Sequence, residues 1–356
     1  MIISKNNNLQ GVQIARGLAA LLVVIGHSLT YTMVYAERYG LPKPFFISIP
    51  WGIGVDIFFI ISGFIMVFSS ESLFGTKDSW MVFLFKRFWR VVPLYWTIIT
   101  IYLIRNLLSG REVPSLEGAI ASYLFIPYDS HNNNIIRPFY EIGWTLNYEV
   151  FFYLIFAVFL FLKKQFACLS VFIVFLTFFL FGLISPLRWP FFHFYSQPII
   201  FEFCLGGLLG LFYKKKFFLS YINFFLIQFV FLFFVLSNDF FFPFLFRHSA
   251  TPNNFLRLLF WGVPACLYIF SMIYMPNISD SPTKRLLKFL GDISYSLYLS
   301  HPLVMGLLSS LCFKPACYLS IPFSFFVLFL VLSSLVFASL LFYYVEKPFL
   351  ALRKAC

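Results

Sequence analysis

Residues 16–28 read RGLAALLVVIGHS, and the ten positions between Arg16 and His27 are all apolar or glycine. With the apolar residues that follow to about position 36, this run is long enough to cross a bilayer as a helix. Both ends carry a side chain that is costly in hydrocarbon. Arg16 and His27 are eleven residues apart, three helical turns plus about 20°, so both lie on one face, roughly 16 Å apart along the axis. With the N-terminus inside, that face offers a fixed cation near the inner surface. It offers a titratable imidazole past mid-depth, toward the outside. A snorkelling arginine and a structural histidine bonded to a neighbouring helix would fit the same pattern.

The rest of the chain repeats the apolar theme. Of 356 residues, 61% are hydrophobic and 11% charged, about half the charge of a soluble domain. Mean hydropathy is +0.87. Continuous rather than alternating apolar runs argue against a membrane β-barrel. Ten spans are expected, at roughly 14–36, 51–70, 91–109, 143–162, 166–184, 198–213, 217–236, 255–275, 293–310 and 321–345. The expected fold is therefore all-α, a polytopic membrane helical bundle of about ten transmembrane helices with both termini cytoplasmic. One integral-membrane domain covers 1–356, with no appended soluble domain. The first span lacks a small-residue cleavage site and reads as a retained helix, not a signal peptide.

A net charge of +12 could suggest nucleic acid, but its distribution points elsewhere. With the N-terminus inside, Arg38, Lys43, Arg105, Arg111, Arg137, Arg188, Arg247, Arg257 and Lys314 fall outside. The other seventeen of the 26 Lys and Arg fall inside. Short basic loops such as KKK at 214–216 follow the positive-inside rule. The basicity reports topology and a membrane partner, not nucleic acid. The Cys spacing offers no metal site. Cys312 and Cys317, in an outer loop, could pair in an oxidising compartment or stay as two thiols. The long outer stretch 110–142 is either a folded-back, lid-like element or a solvated connector.

Further ionisable residues sit at membrane depth. Asp56 in WGIGVDIFFIISGF and Glu149 in IGWTLNYEVFFY each enter from the outer side about a turn and a half deep. Either could meet His27, hold its tautomer and stabilise its imidazolium; either could equally pair with a structural cation. In KRFWRVVPLYW, 86–96, Arg87 and Arg90 share a face if the helix starts that early. Such a pair suits phosphate groups, lipid headgroups or simple anchoring. GDISYSLYLSHPLV carries His301 near mid-depth in a hydroxyl-rich stretch, which could line a cavity or bond between helices, and Pro302 should loosen that helix. Glu202 in FEFCLGGLLG is another intramembrane acid, and Gly206, Gly207 and Gly210 suit close helix packing.

Together with LQGVQIARGLAALLVVIGH, GVDIFFIISGFIM and the closing YYVEKPF, these stretches run in order from residue 9 to 349. The set resembles the acyltransferase-three family of bacterial membrane O-acyltransferases, and GWTLNYEVFFY looks most like its exopolysaccharide and O-antigen acetyltransferase branch. The resemblance implies a multi-pass protein of the bacterial inner membrane. It implies transfer of an acyl group, usually acetyl, from cytoplasmic acetyl-CoA to a hydroxyl of a glycan or lipid-linked glycan, with no metal. It matches Arg16 and His27 to the family's essential Arg–His motif and Arg87 and Arg90 to its paired-Arg motif. On that view Arg16, Arg87 and Arg90 hold the donor's phosphates, and His27 is the base, oriented by Glu149 or Asp56. Direct transfer and a transient acyl-histidine stay open. Some relatives carry an additional extracytoplasmic domain, which this chain is expected to lack. Competing functions are a lipid-linked glycan flippase, an assembly partner of polysaccharide synthesis, and acylation of a small secreted metabolite. No inverted repeat or matched pair of broken helices favours transport.

Overall fold

The computed structural model describes residues 9–40, 50–128, 136–184, 190–214, 217–241, 254–276, 281–312 and 322–352. They are helical almost throughout: α1 (Gln10–Arg38), α2 (Ile53–Ser69), α3 (Ser79–Leu108), α4 (Leu116–Tyr123), α5 (Trp144–Val158), α6 (Lys164–Ile184), α7 (Pro190–Tyr195), α8 (Phe201–Leu211), α9 (Tyr221–Phe241), α10 (Asn254–Arg257), α11 (Val263–Ile273), α12 (Pro282–Asp292), α13 (Ser294–Cys312), α14 (Phe323–Leu341) and α15 (Lys347–Leu352). One wide π turn, Leu258–Gly262, joins α10 to α11, and another, Phe342–Glu346, joins α14 to α15.

Among the described residues, five helical segments are long and apolar enough to cross a membrane: Gln10–Arg38, Ser79–Leu108, Lys164–Ile184, Phe255–Ile273 and Phe323–Leu352. Ile53–Ser69, Pro198–Leu211 and Tyr221–Ser237 are shorter apolar helices. The protein is thus an all-helical, multi-pass membrane protein. Some boundaries differ from those expected. The third expected span, 91–109, begins at Ser79, because the charged turns around Lys86–Arg90 continue the helix instead of ending it. The last runs through its π turn to Leu352. Within 110–142, the described residues fold back: Ser115 caps α4, Tyr95 and Trp96 of α3 donate to the carbonyls of Ser122 and Tyr123, and Ser122 Oγ accepts from Phe139 N–H. The side chains of Cys312 and Cys317 lie outside the described residues.

The helices form two compact units. The first comprises Met1–Phe58, Phe217–His248 and Leu267–Lys347. Its core joins Ala20, Val24 and Tyr35 of α1, Leu297 and Met305 of α13, and Phe326, Leu330 and Ala338 of α14. Near the N-terminal end of α1, the backbone approaches α12 closely: a Cβ on Gly291 would sit 2.0 Å from the Gln13 carbonyl oxygen. Gln13 Nε2 then donates to Asp292 Oδ1 at 2.7 Å. Small residues and an interhelical hydrogen bond are how helices associate where burial supplies little drive. α12 itself is amphipathic. Ser281 caps it, Pro282 opens it, and Lys284, Arg285 and Lys288 give it a basic side.

The second unit comprises Phe59–Lys216, Ser249–Cys266 and Pro348–Cys356. Aromatic rings hold it together: Phe59 stacks on Phe203 at 4.5 Å, Phe203 on Phe152 at 4.7 Å, and Phe151 on Tyr195 at 3.9 Å. Such pairs add about 0.5–1.5 kcal/mol each beyond area burial. The glycines of FCLGGLLG serve packing, as expected for that motif: a Cβ on Gly206 would lie 2.0 Å from the Ile60 carbonyl of α2, and one on Gly210 2.8 Å from Val67 Cβ. Around these cores, α6, α9 and α14 expose Phe172, Ile173, Ile222, Phe229, Leu332 and Val336, the bulk a lipid-facing surface requires.

Candidate active site

Each unit encloses a polar cluster among apolar helices. In the first, His27 of α1 meets His301 of α13: Nδ1 of His27 lies 2.6 Å from Nε2 of His301. The ring planes are within 20° of one another and the centroids 4.9 Å apart. Each nitrogen lies about 1.2 Å from its own ring centre, so this separation is what an in-line, in-plane N–H···N bond requires. His301 is fully buried and its Nδ1 faces the Leu297 carbonyl at 3.1 Å, whereas His27 is only half-buried. Ser28, next along α1, donates to the Val24 carbonyl and approaches Met305 Sδ at 3.9 Å, fixing α1 against α13 at this level.

Two other residues expected at the site lie in the same unit. Asp56 is completely buried in the first turn of α2. Arg16 is half-buried on α1, one residue from Gly17, whose backbone packs against Leu290 and Gly291. The hydroxyl-rich stretch of α13 divides by role. Ser294 bonds to the Gly291 carbonyl, and Ser296 donates to Glu346 Oε2 at 2.6 Å, so the glutamate of YYVEKPF is a helix-to-helix anchor. Despite Pro302, α13 continues unbroken to Cys312.

The second cluster brings Arg87 and Glu149 into one network. Arg87, 8% exposed on α3, donates through Nη2 to Ser69 Oγ at 2.7 Å, and its guanidinium lies over the rings of Phe83 and Tyr153. Its Nε, also buried, has no hydrogen-bond partner among the described residues. Tyr153 donates to Glu149 Oε1, as does Ser62 at 3.0 Å. The Glu149 carboxylate is one of the charges acting on Arg87. Arg90 follows one turn later and is half-buried. Because α3 starts at Ser79, the condition for Arg87 and Arg90 to share a helical face is met. Among the described residues, no group of three His, Cys, Asp or Glu gathers in a metal-holding arrangement.

The family model for the acyltransferase-three domain matches residues 9–343. The chain belongs to this acyltransferase family. It is 35% identical, over 165 residues, to the exopolysaccharide production protein ExoZ of Rhizobium meliloti (strain 1021), an alignment covering 46% of this chain and 51% of that one. The chain thus spans about half the length of the curated relative it matches. No solved structure matches the chain.

Sequence reasoning singled out His27, the arginine pair and Glu149, and missed the groups that hold them. The sequence reading placed Asp56 or Glu149 beside His27; the described residues add His301, hydrogen-bonded to the His27 ring. Its signal was present, an ionisable residue at membrane depth, but nothing in its local pattern pointed to residue 27. Ser62, Ser69 and Tyr153 carried no signal beyond being polar in apolar helices.

Proposed function

We propose that this protein is a multi-pass enzyme of the bacterial inner membrane, with about ten spans and both termini cytoplasmic. It transfers an acetyl group from cytoplasmic acetyl-CoA to a hydroxyl of a cell-surface or exported polysaccharide, or of its lipid-linked precursor. Membership of an acyltransferase family supports the reaction class. The name of the ExoZ relative, an exopolysaccharide production protein, supports the acceptor class.

The observation that carries the reading is the half-buried imidazole of His27, held at Nδ1 by a fully buried partner inside an apolar bundle. A general base needs a lone pair, a fixed orientation and access to the reacting group. His27 takes the proton from the acceptor hydroxyl as its oxygen attacks the thioester carbonyl carbon. The carbonyl re-forms, the C–S bond breaks, and the departing thiolate of coenzyme A recovers the proton. Asp56, buried in the same unit, is the carboxylate proposed to stabilise the imidazolium. In the second unit, Arg87 and Arg90 are the cations proposed for the phosphates of the donor; in the first, Arg16 is proposed as a donor-binding cation. Glu149, bonded to Ser62 and Tyr153, serves this arginine cluster as its counter-charge.

The test compares the O-acetyl content of the surface polysaccharide by proton NMR in a deletion strain, the strain restored with wild type, and the strain restored with His27→Ala, with membrane levels checked by blot. The expected result is loss of the ester but not of the polymer in the deletion and His27→Ala strains. Loss of the whole polymer would support transport or assembly instead, and an unchanged ester with His27→Ala would overturn the role of His27.

A further inference from the structure

We infer that His301 is a positioning residue that fixes the tautomer of His27 and so selects Nε2 of His27 as the atom that takes the acceptor's proton. The inference rests on the proposal that His27 is the base, and it names the group that makes it one.

The Leu297 carbonyl oxygen can only accept, so His301 Nδ1, 3.1 Å away, carries a hydrogen. A neutral imidazole has one N–H, so Nε2 of His301 is left with a lone pair. That nitrogen lies 2.6 Å from His27 Nδ1, in line and nearly in plane. The hydrogen of this contact therefore belongs to His27 Nδ1. Neutral His27, with its one hydrogen placed there, carries its lone pair on Nε2.

The surroundings make the arrangement directional. His301 is fully enclosed, with Tyr298 packed beside it and Phe58 against Tyr298. It has no route to the acceptor and acts only through His27. The half-exposed ring of His27 is the one that can reach a substrate. When Nε2 takes the acceptor's proton, His27 becomes an imidazolium and its Nδ1–H···Nε2 bond to His301 becomes charge-assisted, which strengthens it as the charge develops. A neutral imidazole thus takes the orienting hydrogen bond that a carboxylate takes in hydrolase triads. The Leu297 carbonyl in turn orients it, as an outer partner orients a ligating or catalytic histidine.

The experiment reads the tautomer directly. Purified full-length protein in lipid nanodiscs is labelled with ring-nitrogen-15 histidine; the chain has five His, and His27→Ala identifies the signals of residue 27. The expected wild-type spectrum shows His27 neutral, protonated at Nδ1 and bare at Nε2. In His301→Ala, the His27 signals shift to the opposite tautomer or to a mixture. The same variant lowers kcat for acetyl transfer about 10- to 100-fold with the donor KM unchanged. His301→Gln, whose amide oxygen accepts from Nδ1–H, recovers part of that loss. Wild-type His27 protonated at Nε2 overturns the inference, and so does full kcat in His301→Ala. If His301→Ala does not fold, the wild-type spectrum and His301→Gln still decide it. A purely structural role for His301 would lower thermal stability in both variants and leave the His27 tautomer unmoved. Full activity in His27→Ala would overturn the functional proposal itself, and the spectrum then decides the tautomer alone.

Discussion

The two buried polar clusters differ in kind. In the first unit, two imidazoles 274 residues apart in sequence are hydrogen-bonded to each other, and one of the rings is only half-buried. In the second, a guanidinium that does not lose its proton is held by a serine and two aromatic faces, with a carboxylate acting on it. A titratable pair can take up a proton and return it; a permanent cation can only attract and orient. The same apolar surroundings therefore support chemistry in one place and anion binding in the other, and the difference lies entirely in which side chains are enclosed.

The predictions probe that division. Replacing His27 by Ala should have the largest effect, lowering the rate of acetyl transfer about 10²- to 10⁴-fold, the usual worth of a positioned base. Binding of acetyl-CoA, followed by titration calorimetry on the purified protein, should persist. Arg87→Ala should do the reverse. The KM for the donor should rise about 10- to 100-fold, in line with losing a hydrogen bond to a charged group, with a smaller change in kcat. Arg87→Lys should recover only part, because an ammonium has no planar fork. A fall in kcat at unchanged KM for Arg87→Ala would break the comparison, since the arginine cluster would then belong to the chemical step.

Gly291→Val touches neither cluster. Its side chain would meet the Gln13 backbone at the α1–α12 crossing. It should cost about 1–3 kcal/mol of stability, as overpacking does, seen as a lower midpoint in a thermal melt in detergent. Loss of transfer without loss of stability would show that the crossing itself takes part in function. The smallest effect is expected for Lys164→Ala, which removes a 2.8 Å pair with the largely exposed Glu71. An exposed pair of this kind contributes about 0–1 kcal/mol, so both the melt and the transfer rate should stay near wild type.

The fold was legible because a bilayer leaves few options. A long apolar run must satisfy its own backbone, and a helix does so. Arg16 and His27 stood out for the same reason, as did the Arg87–Arg90 spacing. What hydropathy could not give was the extent of helix where charge begins. α3 starts at Ser79, well before the apolar stretch, because a helix at the membrane edge tolerates charged turns. The basic, amphipathic α12 and the fold-back of α4 onto Tyr95 and Trp96 were invisible to a search for apolar spans.

The sequence by itself determined that this is a helical membrane protein of an acyltransferase family, with a titratable residue and a pair of fixed cations where lipid makes them expensive. Only the tertiary structure decided their partners: His301 for His27, and Ser69 and Tyr153 for Arg87. The reason is physical. The cost of burying a polar side chain is set by its own run of sequence, whereas the hydrogen bond that offsets it is supplied by whichever distant helix packs alongside. The Gly–backbone crossings and ring stacks that choose that helix act across hundreds of residues and leave no local period to read.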